Sequence, residues 1–128
     1  MEKKADYQIL SSVNEGIIEV VITGEATKST FERLEKEADA IIKASGVDKA
    51  LFDVRALKGR FIYENLYNRV RSYTIHYYDI HNAVVDLPEN ADFASMQEDN
   101  AKIAGVSMKW FTDIDDARTW LKSKQKKS

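Results

Sequence analysis

LFDVRALKGR, residues 51–60, is the stretch of this sequence that decides the fold. It opens with apolar residues that are typical of a buried strand, and Asp53 ends that strand. Three cations, Arg55, Lys58 and Arg60, follow before apolar residues recur at helical spacing. A buried strand followed by a helix is half of a βαβ unit, so the stretch predicts a parallel sheet covered by helices.

The same alternation of strands and helices continues in both directions from this stretch. We expect Ser29 and Glu32 to form a capping box, and Phe93, Met96 and Ile103 to face inward. The predicted order is hairpin strands 7–10 and 16–23, a helix 29–45, strand 50–54, a helix after Gly59, strand 82–87, a helix ending at Gly105, an edge strand 106–111 and a helix 114–124. The fold class is therefore α/β: an N-terminal β-hairpin leads into a mostly parallel five-stranded sheet with four helices.

Length and composition restrict the class of protein. A chain of 128 residues fits one domain, 1–128, whose lysine-rich end from about 122 to 128 is expected to be a frayed tail. The net charge of -2 does not favour a nucleic-acid partner. There is no cysteine, no signal peptide and no apolar run long enough to span a bilayer, so we expect a cytoplasmic protein without an integral membrane segment.

Motifs for catalysis and metal binding are missing from the sequence. His76 and His81 are five residues apart, which is not the spacing of a helical metal pair. No Ser-His-Asp set, Walker loop or Gly-x-Gly-x-x-Gly motif occurs. We therefore assign no catalytic residue, no metal ligand and no cofactor.

Two stretches carry a resemblance to a known family: ALFDVRALKG at 50–59 and MKWFTDIDDARTWL at 108–121. With the order of elements, they resemble the STAS family of anti-sigma-factor antagonist-like domains, in its SpoIIAA-like branch. That resemblance implies a STAS-like fold, with protein docking around the loop after the third strand, or binding of a nucleotide or apolar ligand. It also implies a phosphorylated serine at the start of the next helix, but residues 54–71 contain no serine or threonine. We therefore predict no serine phosphoswitch.

The loop after the third strand is the candidate binding site. The carboxyl ends of parallel strands gather at one edge of a sheet, next to helix N-termini that favour anions. Asp53 has two interpretations: it fixes the loop by accepting backbone N–H groups or a local arginine, or it belongs to the site itself. Arg55, Lys58 and Arg60, near the permissive Gly59, are either an anion or acidic-partner site or a solvated loop.

Tyrosines extend this candidate site into the following helix. Tyr63 and Tyr67, one turn apart, lie beside the predicted buried stripe, where they form either a protein-binding face or a core boundary. The sequence thus favours a non-enzymatic regulatory or binding module acting through this loop and helix. Its partner is another protein or a small anionic or apolar ligand, and a homodimer is also possible. The alternative is a carrier of a lipid or nucleotide with an apolar pocket between helices and sheet.

Overall fold

The computed structural model describes residues 7–59 and 78–125. In chain order, the elements are β1 (Tyr7–Asn14), β2 (Ile17–Glu25), α1 (Lys28–Ser45), β3 (Lys49–Asp53), β4 (Leu57–Lys58), β5 (His81–Val85), a 3-10 turn (Pro88–Asn90), α2 (Ala91–Ala104), β6 (Ser107–Phe111) and α3 (Ile114–Ser123). Helices are numbered within these two ranges. The helix predicted after Gly59 lies outside the described residues.

The sheet has the order β1-β2-β3-β5-β6, with the short β4 paired to β2. The β1–β2 pair is antiparallel, and every other pair is parallel. This confirms the predicted hairpin, the mostly parallel sheet and the edge position of the last strand. The two-residue β4 was not predicted.

The hairpin turn is built from two left-handed residues. Glu15 has φ 52° and Gly16 has φ 79°, and Asn14 is directly opposite Ile17. A two-residue loop with both central residues at positive φ is a type I′ turn, whose twist matches that of the flanking strands. The turn therefore sets the register of the whole β1–β2 pair.

Two local expectations were wrong. The capping box of α1 is formed by Thr27 and Thr30, because the N-cap lies two residues before the predicted Ser29, at Thr27, the extended residue that precedes the helix. In α2, Ile103 is 68% exposed, while Ala94 and Ala101 are buried. Ile103 is two residues from Ala101, roughly 200° around the helix axis, so both cannot face the sheet.

The described helices lie on both faces of the sheet. On one face, which we call the α1 face, α1 and α2 enclose the larger core cluster, which includes Phe31, Leu34 and Phe52. On the other, the α3 face, α3 packs Leu121 against Leu51. Phe31, Leu34 and Leu121 are all buried. None of the described helices combines the length and apolar character needed to cross a membrane.

Candidate functional site

The parallel strands β2, β3, β5 and β6 all end at the same edge of the sheet, as the order of elements predicts. At the centre of this edge, β3 ends at Asp53 and the chain continues through β4 to Gly59. We call residues 53–59 the cation loop. Its neighbours at the edge are the end of β2 and the start of α3, which Asp113 caps.

Asp53 forms a bidentate ion pair with Arg55, the first cation of the loop. The Arg55 Nε donates to Asp53 Oδ1 at 2.9 Å, and Arg55 Nη2 donates to Oδ2 at 2.8 Å. The backbone N–H of Arg55 also donates to Asp53 Oδ1 at 3.2 Å. This geometry confirms the interpretation that Asp53 fixes the loop through a local arginine, and it fits a fork-shaped guanidinium well.

The charge of Arg55 is largely balanced by its surroundings. Its hydrogen bond to Asp53 raises the pKa of the Arg55 guanidinium, and the nearby Asp113 acts in the same direction. Conversely, the hydrogen bond from Arg55 lowers the pKa of the Asp53 carboxyl below its ordinary value of 3.8. Arg55 therefore serves the loop structure first, and an incoming anion would have to compete with two carboxylates for it.

The Asp53–Arg55 pair should make stability depend on pH in the acid range. Because the pKa of Asp53 is lowered in the folded protein, the pair stabilises the fold above about pH 4, and this contribution is lost as the pH falls through the folded-state pKa. We expect Asp53→Asn to be less stable than the wild type near neutral pH, with the difference shrinking towards pH 3. Urea unfolding of both proteins across this range measures it, and a difference that stays constant would contradict it.

A turn with one extra residue separates β3 from β4. Val21 on β2 is opposite Asp53, and Gly24 is opposite Leu57, so three steps along β2 correspond to four steps along the loop. The turn is closed by Leu57 N–H donating to Val54 O at 3.0 Å. Since side chains alternate along a strand, the extra residue reverses which face each later side chain occupies.

This reversal places Leu57 and Lys58 on opposite faces. Leu57 is buried in the α1-face core, at 8% exposure. Lys58 consequently lies on the side of Asp53, exposed and directly opposite Glu25 of β2. Within residues 7–59 and 78–125, Lys58 makes no ion pair or side-chain hydrogen bond. The loop thus combines an anchored leucine with an available cation.

Gly59 is required where the loop passes β2. It has φ +84°, and a Cβ there would clash with the backbone carbonyl oxygen of Ala26. The two backbone segments are close because the Ala26 N–H donates a hydrogen bond to the Lys58 carbonyl oxygen at 2.8 Å. The sequence indicated a permissive glycine, and the structure adds the steric reason.

Replacing Gly59 by alanine should therefore cost more than an ordinary left-handed glycine. Gly105 is the matched control, since it also has φ +84° but open space around its Cβ position. We expect about 1 kcal/mol for Gly105→Ala and about 2 kcal/mol for Gly59→Ala, because the latter adds a backbone clash to the left-handed strain. Equal urea midpoints for the two variants would show that the loop relaxes without cost.

Glu19 and Arg118 form a second ion pair on the α3 face, which the sequence reasoning missed. Arg118 of α3 donates through Nε to Glu19 Oε2 at 2.7 Å and through Nη2 to Oε1 at 2.9 Å. Glu19 is buried, and its hydrogen bond is the main cause that raises the pKa of Arg118. One signal was available: Glu19 is a lone carboxylate within the apolar run 17–22, and a buried charge needs a partner.

An apolar cavity lies on the α1 face between α1, α2 and the sheet. Its volume is about 90 Å³. Glu35, Asp86 and Gln97 add polar atoms to its wall. The apolar part of the lining includes Phe31, Leu34, Phe52, Val84, Phe93 and Met108. Alternating apolar residues on the strands predict an apolar face of the sheet. The space left between α1 and α2, however, depends on how these two helices pack.

The remaining predicted site residues, Arg60, Tyr63 and Tyr67, lie outside the described residues. Of the six, the structure thus brings Asp53 and Arg55 into direct contact and places Lys58 on the same side of the sheet. In the described part of the chain, no cluster of three or more His, Cys, Asp or Glu side chains could hold a metal ion.

Comparison with known proteins identifies the fold. No family model and no curated protein matches the chain. It is structurally similar to an anti-sigma factor antagonist from Mycobacterium paratuberculosis, with a TM-score of 0.63 and 17% identity over 91% of this chain and 95% of that one. It is also similar to an uncharacterised DUF3478-family protein with a SpoIIAA-like fold from Shewanella loihica PV-4, with a TM-score of 0.59 and 18% identity over 94% and 98%. The chain therefore has the SpoIIAA-like fold that its sequence predicted.

Proposed function

We propose that this protein is a non-enzymatic regulatory module that binds an acidic segment of another protein through the cation loop. The observation that carries the proposal is Lys58, an exposed cation on a backbone that is already fixed. The Asp53 carboxylate accepts a hydrogen bond from the Arg55 backbone N–H, and Leu57 is buried. The Lys58 carbonyl oxygen accepts a hydrogen bond from the Ala26 N–H. A group held in place before binding loses less conformational entropy when a partner arrives.

Two further observations support a regulatory role that does not depend on a phosphorylated serine. One of the structurally similar proteins is an anti-sigma factor antagonist, which favours regulation for a chain of this fold. Residues 54–71, however, contain no serine or threonine. Control by the amount of partner, or by a competing anion at the cation loop, fits this sequence better than a serine switch.

Reversing the charge at Lys58 tests the proposal. We expect Lys58→Glu to weaken binding of a poly-glutamate peptide about tenfold, because a repulsive charge replaces an attractive one. Its urea midpoint should hardly change, since exposed substitutions usually alter stability by no more than about 0.5 kcal/mol. Fluorescence anisotropy of the labelled peptide measures the affinity, and a pull-down from native cells extends the measurement to the natural partner.

Lys102→Glu is the matched control. Lys102→Glu changes the net charge by the same amount as Lys58→Glu. Lys102 is exposed on α2, but it lies near the start of β6, at the opposite end of the sheet from Lys58. If both variants lose affinity equally, the effect is one of overall charge. If Lys58→Glu binds as the wild type does, the cation loop is not the site. A triple reversal with Arg55 and Arg60 is less informative, because it also breaks the Asp53 ion pair.

The alternative function, a carrier of a lipid or nucleotide, is favoured by the apolar cavity on the α1 face. The size of the cavity argues against it. Ligand pockets usually enclose about 300–1,000 Å³, whereas this cavity measures about 90 Å³. A retained ligand in native mass spectrometry of the purified protein would reverse this ranking.

A further inference from the structure

Within the described residues, the outer edge of β1 has no strand beside it. In the sheet order β1 is a terminal strand, and among the described strands it pairs only with β2. The pairing is continuous over eight residues, from Tyr7 opposite Gly24 to Asn14 opposite Ile17. No bulge therefore interrupts the row of backbone groups on the outer side.

The hairpin turn determines which residues offer those groups. In a two-residue hairpin, Asn14 and Ile17 form a hydrogen-bonded pair, and such pairs alternate with non-bonded ones along the strands. The backbone N–H and C=O groups therefore form hydrogen bonds with β2 at Ser12, Leu10 and Gln8. The residues whose N–H and C=O groups point outward are Tyr7, Ile9, Ser11 and Val13.

Strand β1 itself carries none of the residues that usually prevent strand pairing. Residues 7–14 contain no charged residue and no proline, in a chain where 31% of residues are charged. Two apolar side chains on the strand are exposed, Leu10 at 67% and Val13 at 52%. Native edge strands are normally protected by lysine, proline or a bulge, so an open and uncharged edge of this length favours a strand partner.

We propose that β1 pairs with β1 of a second copy of this chain, antiparallel about a two-fold axis perpendicular to the sheet, with Leu10 opposite Leu10. In this register the outward-pointing residues meet one another: Ile9 is opposite Ser11 of the second copy, and Tyr7 is opposite Val13. Each of these pairs can exchange both of its backbone hydrogen bonds.

A second copy fits this edge because an antiparallel strand is complementary to itself. The two-fold axis brings identical residues together, and an uncharged strand meets its copy without repulsion of like charges. Leu10 and its symmetry mate form a non-bonded pair, in which side chains are closest. Val13 meets Tyr7 of the second copy on the α1 face. The pairing therefore covers both exposed apolar side chains of the strand.

Charge substitution tests the dimer. Leu10→Lys places two like charges opposite each other at the axis, whereas Ile103→Lys introduces the same charge at an equally exposed isoleucine on α2, beside the other end of the sheet. Sedimentation analysis over a range of concentrations should give twice the chain mass of 14.6 kDa for the wild type and Ile103→Lys, and the monomer mass for Leu10→Lys. A monomeric wild type at every concentration, or equal dissociation of both variants, would overturn the proposal.

A cross-link tests the register independently of affinity. The chain has no cysteine, so a single introduced cysteine can bond only to its own copy. Opposite residues of a non-bonded pair have Cα atoms about 4.5 Å apart, which suits a disulfide. We expect Leu10→Cys to form a disulfide-linked dimer under mild oxidation, and Ser12→Cys, which lies opposite Gln8 of the second copy, to remain unlinked. Equal cross-linking of the two variants would refute the pairing.

Discussion

Leu121→Ala should lower the free energy of unfolding by about 2–5 kcal/mol. Leu121 is fully buried on the α3 face, where it packs with Leu51 and Ala117. Truncation removes apolar contacts and leaves a cavity beneath α3, the one described helix on that face of the sheet. Urea unfolding followed by circular dichroism measures the loss.

Thr119→Ala is the control for this prediction. Thr119 lies on the same helix but is exposed, so its truncation should change stability by no more than about 0.5 kcal/mol. If the two variants unfold at the same urea concentration, α3 does not pack on the sheet as described. A large loss for Leu121→Ala alone would confirm that α3 is attached mainly by its buried stripe.

Arg118→Ala should cost about 3 kcal/mol, because it leaves the Glu19 carboxylate buried without its partner. The side chain of Glu19 is only 10% exposed, whereas that of Arg118 is 36% exposed. Water reaches the arginine, so the expected cost lies at the low end of the range for buried pairs. The loss should appear in urea unfolding near neutral pH.

Lys122→Ala provides the comparison, one turn further along α3. Lys122 pairs with Glu15, but both side chains are well exposed, at 49% and 72%. Exposed pairs contribute little, so we expect a change below about 1 kcal/mol. A double variant that also replaces Glu19 by glutamine should recover part of the Arg118→Ala loss, because it removes the unpaired charge. No recovery would mean that Arg118 stabilises α3 by packing alone.

The architecture could be predicted because its signals are local. Each of these signals depends on residues that are close in sequence: the turn at Glu15 and Gly16, the helical spacing of Phe31 and Leu34, and the apolar strand that ends at Asp53. Helix ends were harder, since Thr27 and Ser29 are both good caps and the choice depends on where the backbone leaves β2.

In the candidate site, too, some features have a local sequence signal and others depend on the folded sheet. The Asp53–Arg55 pair spans two residues, so an aspartate at the strand end was enough to suggest it. The face occupied by Lys58 depends on one extra residue relative to β2, which no local pattern reveals. The Glu19–Arg118 pair joins residues 99 positions apart, and only the folded sheet brings them together.

The hydrogen bond from Ala26 to Lys58 joins two loops that are distant in sequence. Ala26 immediately precedes Thr27, which caps α1, so the cation loop and the first turn of α1 share one boundary. Opening the loop would release the Ala26 amide and loosen the residue next to the cap. The two segments should therefore open as a single cooperative unit, so that a partner bound at Lys58 also slows amide hydrogen exchange at the start of α1.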